Sequence, residues 1–391
     1  MTSRSPYSAV ARRPDPASGD RGFTLVELLV SATLALVVMG ALATLFGMFS
    51  RSVTASQDMV QLAARMRSAA WRLRQDLQGL TVEVKPLARP DAAAGYFELV
   101  EGGGSTGAAL AGDIDDVLMM TTTSPGTPFT GLVSGTVGFE SNTAEVAWFC
   151  KLGPVTGDGQ QLYNLYRRQL LVSAVPGVGA FPPANADTFA NWGSWNAFYA
   201  SNDLSCRRIG TQLFPNSLAD LAARENRIMH NTAGVVGAAA FPYIEQFTTN
   251  AAALAADGEI LTGARESEDL ILSNVVAFDV RVFSPSLTAV ANSYIDLSGT
   301  NAKSKLTTPT YDTWSFHYET NGIDEDGDGV ADEGINLLDD GNNGLVDDAS
   351  EQETAPPYNV PLRGIEIRFR CYEPTSKQIR QITVQHSFIA R

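Results

Sequence analysis

Residues 22–30 read GFTLVELLV, and this stretch decides how the rest of the chain is organised. Glu27 is a single acid at the start of an apolar run, and residues 28–49 contain no charged side chain. At ~1.5 Å of rise per residue, that run makes a helix of roughly 33 Å, which is enough to cross the hydrocarbon core of a bilayer. A short, net-basic leader precedes it, with four arginines and two aspartates in residues 1–22.

The order of these features argues against an ordinary secretory signal peptide or a plain membrane anchor. Signal peptides have an apolar segment of about 7–15 residues, followed by small residues at the cleavage site. Here the apolar run is longer, and the glycine precedes it. The carboxylate of Glu27 lies at the edge of this run, where a charged group is costly and is retained for a partner such as an amine.

The stretch resembles the type IV prepilin signature of pilins and of the pseudopilins of type II secretion. In that family a Gly marks the cleavage position, here Gly22, and a Phe becomes the N-methylated first residue, here Phe23. A Glu lies five residues into the mature chain, here Glu27. The resemblance implies that prepilin peptidase cuts between Gly22 and Phe23. It also implies that Glu27 neutralises the N-terminal amine of a neighbouring pilin or pseudopilin subunit during assembly.

Composition excludes one class of function and supports a folded domain. The chain of 391 residues has a formal charge of −15, and so acidic a protein lacks the basic surface that nucleic acid binding needs. Hydrophobic residues make up 44% of the chain, which supports an ordinary core. We therefore divide the chain into a leader (1–22), an anchor with an amphipathic helix (23–85) and a globular domain (86–391).

The apolar run is predicted to continue as an amphipathic helix. Beyond it, apolar side chains recur at alternating four- and three-residue steps, which places them on one helical face. Gly79 and Pro86 are stop signals, so one helix should extend from about Phe23 to about Leu80. Its second half should pack on the globular domain rather than in a coiled coil, because the repeat spans only about three heptads. The predicted face consists of Met59, Ala63, Met66, Ala70, Leu73, Leu77 and Leu80.

The sequence that follows the predicted helix indicates a mainly antiparallel β domain, so the expected fold class is α+β. Short alternating or apolar segments between turn residues are typical of such a sheet. The predicted strands are residues 116–122, 145–150, 165–172, 275–283, 364–372 and 378–388, with a turn at 374–377. Together with the long helix, this order resembles the PilW-type minor pilins and the J-type minor pseudopilins of type II secretion.

Two stretches are expected to lie outside this sheet. Residues 87–114 are rich in Ala and Gly and are predicted to form a loop. Residues 176–265 are predicted to be an insertion, with a helix over Ser217–Met229 that Ser217 caps. The aromatic residues of the insertion should cover its own small core rather than form a contact surface. They are Trp192, Trp195 and Tyr199.

An acidic loop over residues 321–353 carries the second informative pattern. Residues 324–332 read DEDGDGVAD, which resembles the calcium loop of EF-hands and of thrombospondin-type repeats. Ca²⁺ takes six to eight oxygen ligands, and alternate side chains of a tight loop can all point inward. The resemblance implies a structural Ca²⁺ site whose ligands are Asp324, Asp326, Asp328, Asp332 and the backbone carbonyl of Val330.

The loop departs from the EF-hand at position 12, where Ile335 replaces a bidentate Glu. The remaining ligand must therefore come from elsewhere. A degenerate copy follows 15 residues on, with Gly341 in place of one acid, and should donate ligands to a shared or weaker site. A solvated acidic loop is the alternative, because a bare run of like charges repels itself. The ligands that the copy offers are Asp339, Asn343 and Asp347.

The three cysteines leave two alternatives open. The orientation of the anchor places Cys150, Cys206 and Cys371 outside the cytoplasm, where disulfides are permitted. One bridge could form by any of three pairings, or all three residues could be buried thiols.

No motif in the chain predicts an enzyme. The three histidines are scattered, and no sequence typical of a catalytic nucleophile, a zinc site or a phosphate loop is present. A membrane-anchored hydrolase that uses the acidic loop as a metal site is the enzymatic alternative. The sequence favours a non-enzymatic protein.

The sequence therefore favours the interpretation that this chain is a filament subunit. Many major pilins carry a kinking proline midway along the apolar segment, whereas here it has Gly40 and Gly47 and no proline. The resemblance thus favours a minor type IV pilin at a priming or tip position. A minor pseudopilin of type II secretion and a membrane-anchored, calcium-dependent binding module are the alternatives. The protein should cross the inner membrane once, with its globular part outside the cytoplasm, before it joins a pilus or pseudopilus at the cell surface.

Overall fold

A long helix is followed by a mainly antiparallel β domain, which confirms the α+β class. The chain forms two compact units, Met1–Gln57 and Asp58–Arg391, and the helix α1 (Leu25–Gln78) contributes residues to both. The computed structural model describes residues 22–89, 92–102, 112–133, 137–172, 198–209, 212–228, 230, 268–283, 293–299, 301–306 and 308–389.

The second half of α1 packs on the β domain through one face, as its periodicity predicts. Met66, Ala70, Leu73 and Leu77 are at most 2% exposed, whereas the other members of the predicted face are only partly buried. Positions three and four residues apart share a helical face, so the same contact also buries further side chains. These additional residues are Leu62, Ala69 and Asp76.

One large sheet of nine strands dominates the β domain, accompanied by two small hairpins. In the described part of the chain the strands are β1 (Phe97–Val100), β2 (Val117–Thr123), β3 (Phe129–Val133), β4 (Val137–Ser141), β5 (Thr143–Val155), β6 (Gln161–Leu171), β7 (Cys206–Ile209), β8 (Gln212–Pro215), β9 (Leu270–Phe283), β10 (Tyr294–Ile295), β11 (Thr310–Asp312), β12 (Gly364–Glu373) and β13 (Gln378–Ser387). The large sheet has the order β11-β1-β2-β5-β6-β9-β12-β13, with β10 beside β9, and its neighbouring strands are antiparallel. The hairpins are β3–β4 and β7–β8.

All six predicted strands are confirmed, although β5, β6 and β9 extend beyond their predicted ends. In β12 the apolar residues Ile365, Ile367, Phe369 and Cys371 are all 0% exposed, and Glu366 between them is also buried, at 6%. The prediction that residues 87–114 form only a loop was wrong, since β1 lies within them. β1 has only four residues and lies in sequence rich in Ala and Gly, so the local pattern did not indicate a strand.

The helix predicted over Ser217–Met229 was also wrong. Ser217 and Asp220 do exchange capping hydrogen bonds, but the segment forms only two short 3₁₀ helices, Asp220–Ala222 and Arg224–Asn226. Ala223 between them is extended, which interrupts the helix. Trp192, Trp195 and most of the predicted insertion lie outside the described residues, whereas Tyr199 is buried.

The large sheet is covered on both faces. Along β2, Leu118 and Met120 point to the core that contains α1, whereas Val117 and Met119 point to a second core. Successive residues of a strand face opposite sides of the sheet, so this split follows from the strand period. The second core is built with side chains from the segment before β9, namely Tyr199, Leu204, Cys206, Leu213, Leu221 and Ile228.

A buried acid fixes α1 to the sheet. The Asp76 carboxylate accepts a hydrogen bond from the indole Nε1 of Trp148 at 2.9 Å and two from the Arg167 guanidinium at 2.7 Å each. Thr122 Oγ1 donates to the backbone carbonyl of Asp76 at 2.8 Å. A bidentate guanidinium–carboxylate pair fixes geometry as well as charge. This contact therefore sets the position of the last turn of α1 over β5 and β6.

Removing this acid should be costly. Asp76→Ala leaves the Arg167 charge buried without a carboxylate, and we expect the free energy of unfolding to fall by about 3–5 kcal/mol. Chemical denaturation of the full chain in detergent measures the effect. Asp158→Ala is the matched control, because Asp158 pairs with Lys377 on the surface at 2.8 Å and its loss should change stability little. Equal effects of the two substitutions would contradict the role of Asp76.

Candidate functional site

The N-terminal motif forms the first turn of α1. The backbone N–H and the hydroxyl of Thr24 both donate to Glu27 Oε2, at 3.0 and 2.9 Å, and the Glu27 N–H donates to Thr24 Oγ1 at 3.2 Å. This reciprocal pattern is a capping box. It holds the Glu27 carboxylate at the helix start. Thr24 was not among the predicted site residues, although the T-x-x-E spacing is the signal that identifies such a cap.

The apolar half of α1 has no cover within the chain. Every side chain from Leu25 to Phe46 is exposed. Among the described residues, α1 is the one helix that is long and apolar enough to cross a membrane. An apolar surface of this extent needs lipid or another protein to cover it.

The acidic loop brings three of the predicted ligands together. Side-chain oxygens of Asp324, Asp326 and Asp328 lie within 4.8 Å of one another. Asp324 also accepts hydrogen bonds from the backbone N–H groups of Gly327 at 2.5 Å and Gly329 at 2.9 Å. Both glycines have a positive φ, 85° and 100°, which a side chain would disfavour. The loop backbone is thus shaped so that its first acid faces its own N–H groups.

The degenerate copy repeats this backbone 15 residues later. Asp339 accepts from the N–H of Gly344 at 2.8 Å, as Asp324 accepts from Gly329. Positive φ angles also recur at matching positions, which pair Gly322 with Leu337, Gly327 with Asn342, Gly329 with Gly344, and Asp332 with Asp347. The two loops form a structural repeat, yet within residues 308–389 only the first gathers three acids.

Asp332 and its counterpart Asp347 do not belong to the three-acid group, and each accepts hydrogen bonds at the entry of its own loop. The Asp332 carboxylate accepts from the N–H of Gly322 at 3.0 and 3.1 Å, and Asp347 accepts from Leu337 at 2.9 Å. These hydrogen bonds close each loop at its entry. In the copy, Asp339 accepts the N–H of Asn343 at 2.9 Å. The role of all these residues as metal ligands, including the three grouped acids, stays a prediction.

Buried glutamates support both loops from within. Glu353 accepts the N–H groups of Glu325 and Asp332, and Glu351 accepts those of Gly341 and Asp348. Each glutamate therefore connects two points of one loop. The glutamates in this region that are at most 4% exposed are Glu319, Glu325, Glu333, Glu351 and Glu353.

This environment disfavours negative charge. Burial raises the pKa of Glu325 to about 9, and the neighbouring Glu353 adds to the shift. Burial also raises the pKa of Glu333 to about 7, with Asp328 and Asp326 adding to it. Residues 321–353 contain no Lys or Arg. The two lysines that reach the loop, Lys303 and Lys305, donate to backbone carbonyls of Ser350, Gln352 and Glu325. A dense set of carboxylate oxygens has the chemistry that Ca²⁺ prefers, so the residues present fit this ion.

A separate charge network joins the sheet edge to the segment before β9. Glu98 of β1 and Asp312 of β11 contact Arg224 and Arg227 at 2.5–2.9 Å, and His230 Nε2 lies 3.0 Å from Glu98. Burial opposes ionisation of Glu98, but Arg224, His230 and Arg227 outweigh it and hold its pKa well below the usual range. Two acids balance two arginines here, which indicates a structural role.

A gap in the large sheet holds another group of acids. β6 pairs with β9 only from Leu270 to Val275, and beyond that point the N–H of Val280 donates to the Asp116 carboxylate at 2.6 Å. Oxygens of Glu101, Asp113 and Asp116 lie within 4.8 Å of one another. The carboxylate of Asp116 thus takes the place of a missing ladder partner.

Glu101 should make stability depend on pH. Burial raises its pKa to about 8 from an ordinary 4.5, and the carboxylates of Asp113, Asp296 and Asp279 add to the shift, although the N–H of Leu297 opposes it. Between these values the folded chain holds a proton that the unfolded chain has released. This group's stabilising contribution therefore falls as pH rises from about 4.5 to about 8. Glu101→Gln removes this titration and should make the free energy of unfolding fall less steeply over that range, while Glu325 and Glu333 still contribute to the slope.

Equilibrium unfolding of the full chain across this range measures the slope. Glu83→Gln is the control, because Glu83 forms only a surface pair with Lys85. Its slope should match that of the unsubstituted chain. An unchanged slope in Glu101→Gln would show that Glu101 is ionised in the folded protein.

Comparison with known proteins agrees with the N-terminal geometry. Residues 18–43 match the family model described as prokaryotic N-terminal methylation motif. No curated protein and no solved structure matches the chain. The matched segment and the apolar helix fit a type IV prepilin-like protein with a single-pass anchor. Such a motif implies processing by prepilin peptidase and assembly with other pilins, and it points to a structural family that is generally non-enzymatic.

Proposed function

We propose that this prepilin-like chain is a minor type IV pilin, a non-enzymatic subunit that primes a pilus filament or lies at its tip. The observation that carries the proposal is the division of α1 into two halves. One half exposes an apolar surface that begins at Glu27, and the other packs on the protein's own sheet. Acyl chains can cover the exposed half before assembly, and helices of neighbouring subunits can cover it in a filament.

Glu27 would direct this transfer between environments. A carboxylate at the edge of hydrocarbon is costly without a partner. The methylated amine of Phe23 in a neighbouring subunit would be a suitable partner. The capping box holds the carboxylate in one place at the helix start, so a neighbour meets it in a defined position.

The absence of proline from the apolar segment supports a minor rather than a major subunit. The large β domain supports a tip or priming position, where bulk is tolerated. A minor pseudopilin of type II secretion would share both features. The two functions are therefore distinguished by the effect of losing the protein and not by its structure.

A clean deletion in the source organism separates these functions. Loss of surface filaments or twitching, with normal protein secretion, is the result expected for a minor pilin. Retained filaments with secreted enzymes trapped in the periplasm would show a pseudopilin instead. Both phenotypes unchanged would contradict an essential role in either assembly.

Glu27→Ala tests the assembly role directly. The variant should still be cleaved by prepilin peptidase but should be absent from sheared filaments, because its helix lacks the carboxylate that pairs with an amine. Thr24→Ala is the matched control, since it breaks the capping box and keeps the carboxylate. Immunoblots of filament and membrane fractions measure incorporation. Equal loss in both variants would mean that the cap, and not the charge pair, governs incorporation.

We also propose that the acidic loop binds Ca²⁺ as a structural ion. The three grouped acids, the glycine-dependent backbone and the buried glutamates all support it. The ion would supply the positive charge that residues 321–353 lack. In a protein that stays anchored without assembling, the same site would serve a calcium-dependent binding module.

Calcium should raise the melting temperature of the full chain in detergent. Extracellular modules of this kind bind at roughly 10⁻⁴–10⁻³ M, so millimolar Ca²⁺ is the concentration to use. Asp324→Ala combined with Asp328→Ala should abolish the rise. Asp339→Ala combined with Asn343→Ala changes the matching positions of the copy and should reduce the rise less. Equal melting temperatures in Ca²⁺ and in EDTA would overturn the proposal.

A further inference from the structure

We propose that the acidic loop of one copy of this chain docks through an apolar tip into an arginine groove beside α1 of a second copy. The arginine groove lies between the second half of α1, β6 and the start of β9, and Arg65, Trp71 and Arg72 border it. This contact is separate from the apolar half of α1, and it requires neither a pilus nor bound calcium. The apolar tip consists of Leu337, Leu338, Leu345 and Val346.

The apolar tip belongs to the degenerate copy within the acidic loop. Each of its four side chains is more than half exposed, from 54% for Val346 to 78% for Leu337. Asp347 holds the two ends of the copy together, because its N–H donates to the carbonyl of Leu338 at 3.4 Å and its carboxylate accepts the N–H of Leu337 at 2.9 Å. The loop therefore presents large apolar side chains from its entry and its exit at one place.

Carboxylates surround the apolar tip. Asp340 is exposed and accepts a hydrogen bond from the Asn336 amide at 2.6 Å, which places it beside Leu337. Residues 321–353 contain twelve acids and no Lys or Arg. An anionic lipid surface would repel these carboxylates. The tip thus fits a protein surface that combines apolar and cationic side chains.

The arginine groove offers such a surface. It encloses a volume of about 600 Å³, and Trp71 at its rim is 58% exposed although α1 packs on the sheet at this level. Arg67 and Arg74 flank Trp71, because positions three and four residues apart share a helical face. Tryptophan and arginine are the residue types that contribute most to binding at protein interfaces.

The arginines that border the groove have no carboxylate partner. Arg72 donates to the side-chain oxygen of Gln169 at 3.2 Å, and among the described residues no acid forms an ion pair with Arg65 or Arg72. Burial lowers the pKa of Arg72, and the neighbouring Arg167 adds to the shift, although Asp76 opposes it. A carboxylate from outside the chain would relieve this accumulation of positive charge.

The acids that line the groove do not balance these arginines. Asp203 and Asp269 both contact Nη1 of Arg168, at 3.0 Å each. Of the described acids that line the groove, Glu268 is the one that remains to offset the two arginines at its border. The groove therefore keeps a positive charge, although the formal charge of the chain is −15.

Charge complementarity identifies the partner as a second copy. The apolar tip and Trp71 are both exposed in one molecule, so they do not cover each other within the chain. Opposite charges favour contact of a tip with a groove and disfavour contact of two tips or of two grooves. A contact between two different surfaces is heterologous, and each added copy offers an unused tip or groove to the next. Such a contact can therefore repeat along a filament.

The test is photocrosslinking between copies of the full chain in detergent and EDTA. One preparation carries p-benzoylphenylalanine in place of Leu338, which keeps a large apolar side chain at the tip. It is mixed with ¹⁵N-labelled chain without the probe, so that mass spectrometry distinguishes links between copies from links within one. We expect the links between copies to map to the α1 segment that contains Trp71, and their yield to fall as NaCl is raised.

An exchange of charges tests the pairing of the two surfaces. Arg65→Glu with Arg67→Glu in the labelled chain should lower the yield of links by about fivefold or more, because acids then face acids. Asp340→Lys with Ala349→Lys in the chain that carries the probe should restore the yield. Restoration also shows that the labelled variant is folded, so the loss cannot be a folding defect.

Arg363→Glu with Arg380→Glu is the matched control, because both arginines are exposed and do not line the groove. This variant changes the charge by the same amount and should stay within about twofold of the unsubstituted yield. An equal loss in the control would overturn the proposal, as would a failure of the exchanged pair to restore the links. Links confined to one chain, links to another segment, or no links would also overturn it. Since purified chain is used in EDTA, these results do not depend on the pilus or calcium proposals.

Discussion

The buried contact of Asp76 with Trp148 and Arg167 is the constraint on which the rest of the structure depends. It places a charge from the last helical turn under the sheet, and only the paired strands β5 and β6 supply its partners. An ionised side chain is buried at acceptable cost only when it is paired and hydrogen-bonded. The partners of Asp76 are therefore in place only when β5 and β6 are paired, which couples the docking of the helix to the formation of this part of the sheet.

The sequence predicted those elements whose signals are local. The helix, the six longer strands and the three grouped acids each depend on residues close together in the chain. The buried charge pairs could not be predicted in this way, because Asp76 and Arg167 are 91 positions apart and Glu98 and Arg227 are 129 apart. In sequence, Arg224 and Arg227 look like the polar face of a surface helix. Their burial at the sheet edge is what replaces that helix with short turns.

In the acidic loop, too, the sequence predicted local backbone shape better than the positions of side chains. Alternating acids and glycines specified the loop shape, and the repeated backbone confirms how strongly that local pattern acts. The directions in which individual side chains point could not be predicted from this pattern. Asp332 has a left-handed backbone and its carboxylate accepts from the N–H of Gly322 at the loop entry, whereas the next residue, Glu333, is buried. Residue spacing does not reveal either placement.

The three cysteines are free and buried, two of them in the core with α1 and one in the second core. Burial raises the pKa of each thiol, so little reactive thiolate forms while the protein is folded. The fold consequently does not require oxidants or disulfide isomerases, even in a compartment that supplies them. Each thiol becomes open to alkylating reagents only when its core opens. The extent of alkylation of each cysteine in a living cell would therefore report how often the core on that face of the sheet opens.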